Sequence, residues 1–82
     1  MITSRTRPFT TRIEYYQRQR DEAAATSLSP GNITRPDRST EPGIVILTGN
    51  YPRIVLTLEQ AWQFAQALAD LLDTMPQEGT NP

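Results

Sequence analysis

Eighty-two residues without one cysteine or histidine exclude a disulfide framework and remove the commonest ligands of a metal site. One small domain at most fits this length, and no enzyme is expected: with lysine absent as well, general bases and nucleophiles shrink to carboxylates, tyrosines and hydroxyls. The net charge of −1 hides an asymmetry, five arginines against Glu14 alone in residues 1–20 and eight acids against three arginines in residues 21–82, so a basic leader is expected to meet an anionic partner or the acidic body itself.

Residues 1–10 read as a basic arm carrying Arg5 and Arg7. Behind its charges the N-terminus has no apolar stretch, and the longest aliphatic run, Ile44–Leu47, is far too short to span a bilayer, so a cytoplasmic location is expected.

Residues 11–25, TRIEYYQRQRDEAAA, are predicted as a marginal helix. Thr11 and Glu14 have capping-box spacing, and Glu14 and Arg18 stand four apart as a favourable ion pair. The apolar stripe is thin, with Ile13 and Tyr16 followed by Arg20 where a third hydrophobe belongs. Such a helix needs something to lie against.

Residues 26–43 read as a Pro-rich linker. Pro30, Pro36 and Pro42 recur every six residues, and proline removes ladder donors and restricts its predecessor.

Residues 44–75 are predicted as the folded core, a β-hairpin followed by an amphipathic helix: an α+β protein of the ββα kind. IVILT (44–48) and RIVLT (53–57) are rich in β-branched residues, and Gly49-Asn50-Tyr51-Pro52 between them is turn chemistry. Pairing Thr48 with Arg53 would put Val45, Leu47, Ile54 and Leu56 on one face, and Ile44, Ile46 and Val55 on the other. The helix, 58–74, is announced by Thr57 as N-cap with Gln60 at the capping-box position. Leu58, Ala61, Trp62, Ala65, Leu68, Ala69 and Leu72 keep 3.6-residue spacing, and Phe64, Leu71 and Met75 widen that stripe. Pro76 stops the helix, and residues 76–82 are expected to form a disordered tail.

This core is too small to hide its own apolar surface. Below about 40 residues a chain needs disulfides, metals or oligomerisation, and here only the last remains. One helix covers one face of a hairpin, while both faces are apolar. A homodimer is therefore expected, with Ile44, Ile46, Val55, Trp62, Phe64, Leu68 and Leu71 as the partner or dimer interface. Within that set Trp62 lies nearest the centre line of the stripe and reads first as core; Phe64 and Leu71 lie toward its edge and read as intermolecular. The competing arrangement folds the first helix back over the second sheet face through Ile13 and Tyr16.

Little else in the chain carries chemistry. Ser27, Ser29 and Ser39 have no activating base, Gly43 and Gly49 are turn glycines, and Asp70 and Asp73, one helical turn apart, read as solvated charges. No cofactor and no metal are expected. The rival to a protein-binding role is nucleic-acid binding: Arg5, Arg7, Arg12, Arg18 and Arg20 interleave with Tyr15 and Tyr16, giving candidate contacts to phosphates and unpaired bases, or to another anionic partner. An isoelectric point near 5.2 argues against it.

The stretch RIVLTLEQAWQFAQALADLLD, residues 53–73, resembles a pattern in short uncharacterised proteins of high-GC actinobacteria and their phages, in which a strand runs through a Thr-Leu or Thr-Pro step into an Ala/Leu-rich helix. The exclusive use of arginine as the basic residue agrees with a high-GC source. That resemblance implies an accessory protein of a phage or mobile element, acting by binding a host protein. It transfers no site residues.

Overall fold

The computed structural model describes residues 2–75, and the tail expected from Pro76 onward lies outside them. A 3-10 turn at Ile13–Tyr15 leads into α1 (Tyr16–Ala24); then follow β1 (Thr26–Thr34), β2 (Thr40–Thr48), β3 (Tyr51–Thr57) and α2 (Leu58–Thr74). The strands form one antiparallel meander in the order β1-β2-β3. The α+β class stands, but the strand–strand–helix expectation is corrected to three strands and a helix. The added strand is made of residues read as linker, and only Arg35–Ser39 is a loop.

Proline misdirects here because each one sits where no ladder donor is needed. Pro30 is in the edge strand β1. Pro42 is in β2, but β3 pairs only with Gly43–Thr48, so at Pro42 the central strand has become an edge. Pro52 is in the other edge strand, opposite Leu47. β1 pairs along its whole length, from Thr26 with Thr48 to Thr34 with Thr40.

Two glycines let the strands approach. A Cβ on Gly31 would lie 2.7 Å from Val45 Cγ2; one on Gly43 would lie 2.7 Å from Ile33 Cδ1 and 2.5 Å from the Leu56 carbonyl oxygen. Val45 and Ile33 thus occupy the space that side chains at these positions would claim.

The Arg35–Ser39 loop is stapled by polar contacts. The Ser39 backbone N–H and hydroxyl donate to Asp37 Oδ1 at 3.0 and 2.6 Å, Arg35 donates to the Ser39 hydroxyl at 3.0 Å, and Arg35 pairs with Glu41 at 3.0 Å. Arg38 takes φ of 72°, a left-handed conformation that a non-glycine residue adopts at a cost.

The second hairpin is tighter than expected. Thr48 pairs with Tyr51 around a two-residue turn in which Gly49 has φ of 61°, the conformation a glycine supplies at the first position of a type II′ turn. Ile46 then pairs with Ile54, leaving Arg53 as an extra residue in a bulge. That one-residue shift turns every side chain beyond it over. Ile44, Ile46, Ile54 and Leu56 share one face, and Val45 and Val55 share the other, which corrects the expected division.

α2 packs on the first of these faces, across β2 and β3. Its capping box forms: the Gln60 N–H donates to Thr57 Oγ1 at 3.1 Å, and the Thr57 N–H donates to Gln60 Oε1 at 3.0 Å. Among the described residues only Leu56 is a buried hydrophobe, at 7% exposure. The core is one side chain deep.

α1 is a helix without tertiary support. It buries nothing, and no side chain caps it, so the Thr11–Glu14 capping box is not formed. The Glu14–Arg18 pair is absent too: Glu14 approaches Arg12 at 3.9 Å, and the Arg18 guanidinium lies 4.8 Å from the centre of the Tyr15 ring. Ile13 is 88% exposed and Tyr16 is exposed as well, so this helix does not fold back over the sheet.

Candidate interaction surfaces

Four surfaces stand open, and the expected interface residues are divided among them. The first is an apolar groove of about 380 Å³ between α2 and β1. The narrow helix covers β2 and β3, while the sheet extends one strand further. Leu28 and Pro30 form the strand wall, Ile44, Ile46 and Leu56 the floor, and Ala61, Phe64, Ala65 and Leu68 the helix wall. Four expected residues, Ile44, Ile46, Phe64 and Leu68, meet here. Their grouping reverses one assignment: Ile44 and Ile46 line the surface under α2, not the face away from it.

The second surface is the opposite face of the sheet. Alternation along the paired strands puts Ile33, Val45, Leu47 and Val55 on it. Neither helix covers it, and Val55 is half exposed. Of the expected interface residues only Val55 lies on this side.

The third surface is the flank of α2. Trp62 is 76% exposed, against its reading as core. The helix residues that line the groove over the sheet are Ala61, Phe64, Ala65 and Leu68, and Trp62 is not among them. Leu58 and Leu72 are exposed beside it.

The N-terminal arm accounts for the back of the same helix. Ile2, Thr3 and Ser4 lie against Gln63, Gln66, Ala67 and Asp70, and Ser4 to Pro8 continue along Leu71 and Thr74. The Ile2 N–H donates to Gln63 Oε1 at 3.4 Å. Leu71, expected at an interface with a partner, is half covered by this arm. The contact is one of shape, since the ion pairs among the described residues are Arg12–Glu14 and Arg35–Glu41 and neither joins the arm to α2.

The fourth surface is α1 with the turn before it. Arg5, Arg7, Arg12, Tyr15, Tyr16, Arg18 and Arg20 are all exposed. Arg18 lies over Tyr15, and Arg20 lies over Tyr16 at 5.5 Å from the ring centre. Stacking of this kind fixes the guanidinium planes and leaves their edges free to donate.

Asp37 is held below its ordinary value by the hydrogen bonds from Ser39, and it lies in an exposed hairpin loop. Among the described residues no cluster of three or more acidic side chains is placed to hold a metal ion, and Asp70 lies beside the arm.

Sequence reasoning missed Leu28, Pro30 and Ile33 because they fall in the segment assigned to a linker. Their signal was the alternation Leu28-x-Pro30 against Ser29-x-Gly31-x-Ile33, diluted by serines, glycine and proline. No helix of the described residues is long and apolar enough to cross a membrane. Compared with family models, curated proteins and solved structures, the chain finds no match in any of the three.

Proposed function

We propose that this chain is a non-enzymatic protein-interaction module that self-associates through its apolar β–α surfaces and so presents paired copies of its Arg/Tyr-rich N-terminal segment to a target protein. The observation that carries this reading is a surface excess. The chain exposes 7435 Å², whereas a compact 9.3 kDa protein exposes about 5,000 Å². The radius of gyration of 15.6 Å likewise exceeds the ~12 Å of a compact chain of this length. Part of the excess belongs to the arm and α1. Apolar side chains exposed at the groove, on the uncovered sheet face and on the flank at Trp62 add to it. Burying a Trp, Leu or Phe side chain contributes about 1.5–3 kcal/mol, so four or five of them outweigh the loss of freedom on pairing.

The resemblance of residues 53–73 to short actinobacterial and phage proteins supports an accessory role against a host protein in the cytoplasm. Light scattering of the full chain across concentration tests the self-association. A dimer is expected at micromolar concentration, and a well-folded monomer up to millimolar concentration would remove the proposal.

A second reading, nucleic-acid binding through Arg5 to Arg20, is favoured by one observation: the exposed Arg18–Tyr15 and Arg20–Tyr16 stacks. Its mark is a steep loss of affinity for single-stranded DNA or RNA as salt rises. Absence of binding at low salt excludes it.

A further inference from the structure

Trp62 is the chain's one tryptophan, and it stands 76% exposed on the flank of α2. Glu59, three residues before it, and Gln66, four after it, are its neighbours on the helix surface. α2 carries Glu59, Asp70 and Asp73 and no base, so the indole stands beside an acidic rim. α1 holds the counterpart. Thr11, Tyr16, Gln19, Arg20, Ala23 and Ala24 line an open concavity of about 570 Å³, in which Arg20 is the one charge. Its guanidinium covers the Tyr16 ring at 5.5 Å with one face; Arg20 is exposed, which leaves the other face open. Within one chain the two surfaces do not meet, because no residue of α2 lines the concavity. The joint keeps them apart. The Thr26 hydroxyl donates to the Glu22 carbonyl at 2.7 Å and the Gly49 N–H to the Ala25 carbonyl at 2.9 Å, pinning α1 to the sheet rim on both sides of Ala25.

We propose that Trp62 of one copy enters the α1 concavity of a second copy and stacks on the open face of the partner's Arg20, the exchange being reciprocal about a two-fold axis. The inference rests on the self-association reading above and names its surfaces. Charge favours it: the stacked guanidinium comes beside Glu59, and the leader as a whole, with five arginines against Glu14 in residues 1–20, meets a helix whose charges are all acidic. Chemistry favours it too, since tryptophan is the best ring for a cation–π contact and Trp, Tyr and Arg are the residue types that dominate interfaces. Area agrees. Leu58, Trp62 and Leu72 on the flank and Phe9, Ile13 and Tyr16 on the leader are each between 46% and 88% exposed. At about 200 Å² for a large apolar side chain they leave about 800 Å² open in each copy, as much as one partner contributes to a standard interface. Pairing of strand edges is closed to a second copy. The backbone bonds Gly49–Ala25 and Arg35–Ser39 fix the phase of β1, so that Leu28, Pro30 and Asn32 turn their backbone groups outward, and the central one has no N–H. On the β3 edge Pro52 lacks a donor and the Thr57 N–H is taken by Gln60. Arg18 and Tyr15 line no part of the concavity, so the docked leader still offers that stack to a target.

The lone tryptophan reports on its own burial. As the full-length chain is concentrated, its fluorescence should move to shorter wavelength over the range in which light scattering shows the dimer forming. Arg20→Glu sets a like charge beside Glu59 and should lower dimer affinity about 100-fold, tenfold for each of the two contacts. The cooperative melt should stay unchanged, because Arg20 is exposed on a helix that buries nothing. Arg20→Glu combined with Glu59→Arg restores the pair with its signs exchanged and should recover at least tenfold of the loss. A wild-type dimer whose tryptophan emission does not move, or a dimer that Arg20→Glu leaves as tight as before, overturns this interface and leaves self-association standing. A wild-type chain that light scattering shows to be a monomer, with its tryptophan exposed or covered by its own leader, overturns both.

Discussion

Neither helix has a fully buried residue of its own, but α2 starts on a two-way capping box and rests on the buried Leu56 of β3, whereas α1 starts on an uncapped turn and leaves Tyr16 exposed. Both contain good helix formers. What separates them is what each has to lie on. α2 follows β3 without a loop, so its first turn is placed over the sheet by the chain itself. α1 ends at Ala25, whose carbonyl accepts from the Gly49 N–H at 2.9 Å, and this backbone bond ties it to the rim of the sheet without laying it on a face. Exposed polar contacts hold α1, and burial holds α2. Each contact of the first kind contributes tenths of a kcal/mol, each buried side chain more than 1.

The sharpest way to break this contrast is to remove the side chain beneath α2. Leu56→Ala is expected to cost about 2–4 kcal/mol, melting α2 and β3 together and leaving no cooperative transition in a chain with so small a core. Gly43→Ala approaches the same outcome from the backbone, because its Cβ would meet the Leu56 carbonyl oxygen at 2.5 Å and strands cannot shift as a side chain can. Thermal melts by circular dichroism check both. A cooperative transition unchanged in either variant would mean that Leu56 is not the keystone.

Next in size is the cap. Thr57→Ala removes the hydroxyl that accepts from the Gln60 N–H and should cost about 1 kcal/mol. Denaturant unfolding would show a lower midpoint with an unchanged slope. The same substitution at Thr11, which caps nothing, should leave the midpoint where it is.

These elements also show what the sequence made legible. Thr57, Gln60 and the 3.6-residue spacing placed α2 and its cap, since helix ends are set locally. The turn at Gly49 was equally local, but the register was not. The bulge at Arg53 reflects how three strands fit together, and no residue in the hairpin announces it. β1 stayed hidden because Pro30 dominates its signal, and an edge strand tolerates proline only once a neighbour exists to define the edge. Trp62 was misassigned by treating the apolar stripe as one face. Half a cylinder of apolar residues is two seams, and which of them meets the sheet depends on the angle at which α2 leaves β3.

A smaller effect concerns the other structure held by exposed contacts, the Arg35–Ser39 loop. Hydrogen bonds from Ser39 hold the Asp37 carboxyl below its ordinary 3.8. A depressed value means that the folded state favours the ionised form. The resulting stability is full above 3.8 and is lost as pH falls through the lower folded value. Asp37→Asn should abolish that part of the acid sensitivity, read as a shift in melting temperature between pH 5 and pH 2 smaller than the wild type's. Because the group is exposed, the difference is expected to be slight.

The smallest change belongs to α1. Tyr15→Ala together with Tyr16→Ala removes both rings that Arg18 and Arg20 cover. Cation–π contacts at exposed sites are worth about 0.5–1 kcal/mol each, and in α1 they act on a helix whose formation is decoupled from the sheet. The double variant should therefore lose part of its helical ellipticity at 222 nm while the cooperative melt of the β–α unit stays within about 0.5 kcal/mol of wild type. If the melt fell by as much as it does for Thr57→Ala, α1 would be part of the core after all, and the two helices would differ in degree only.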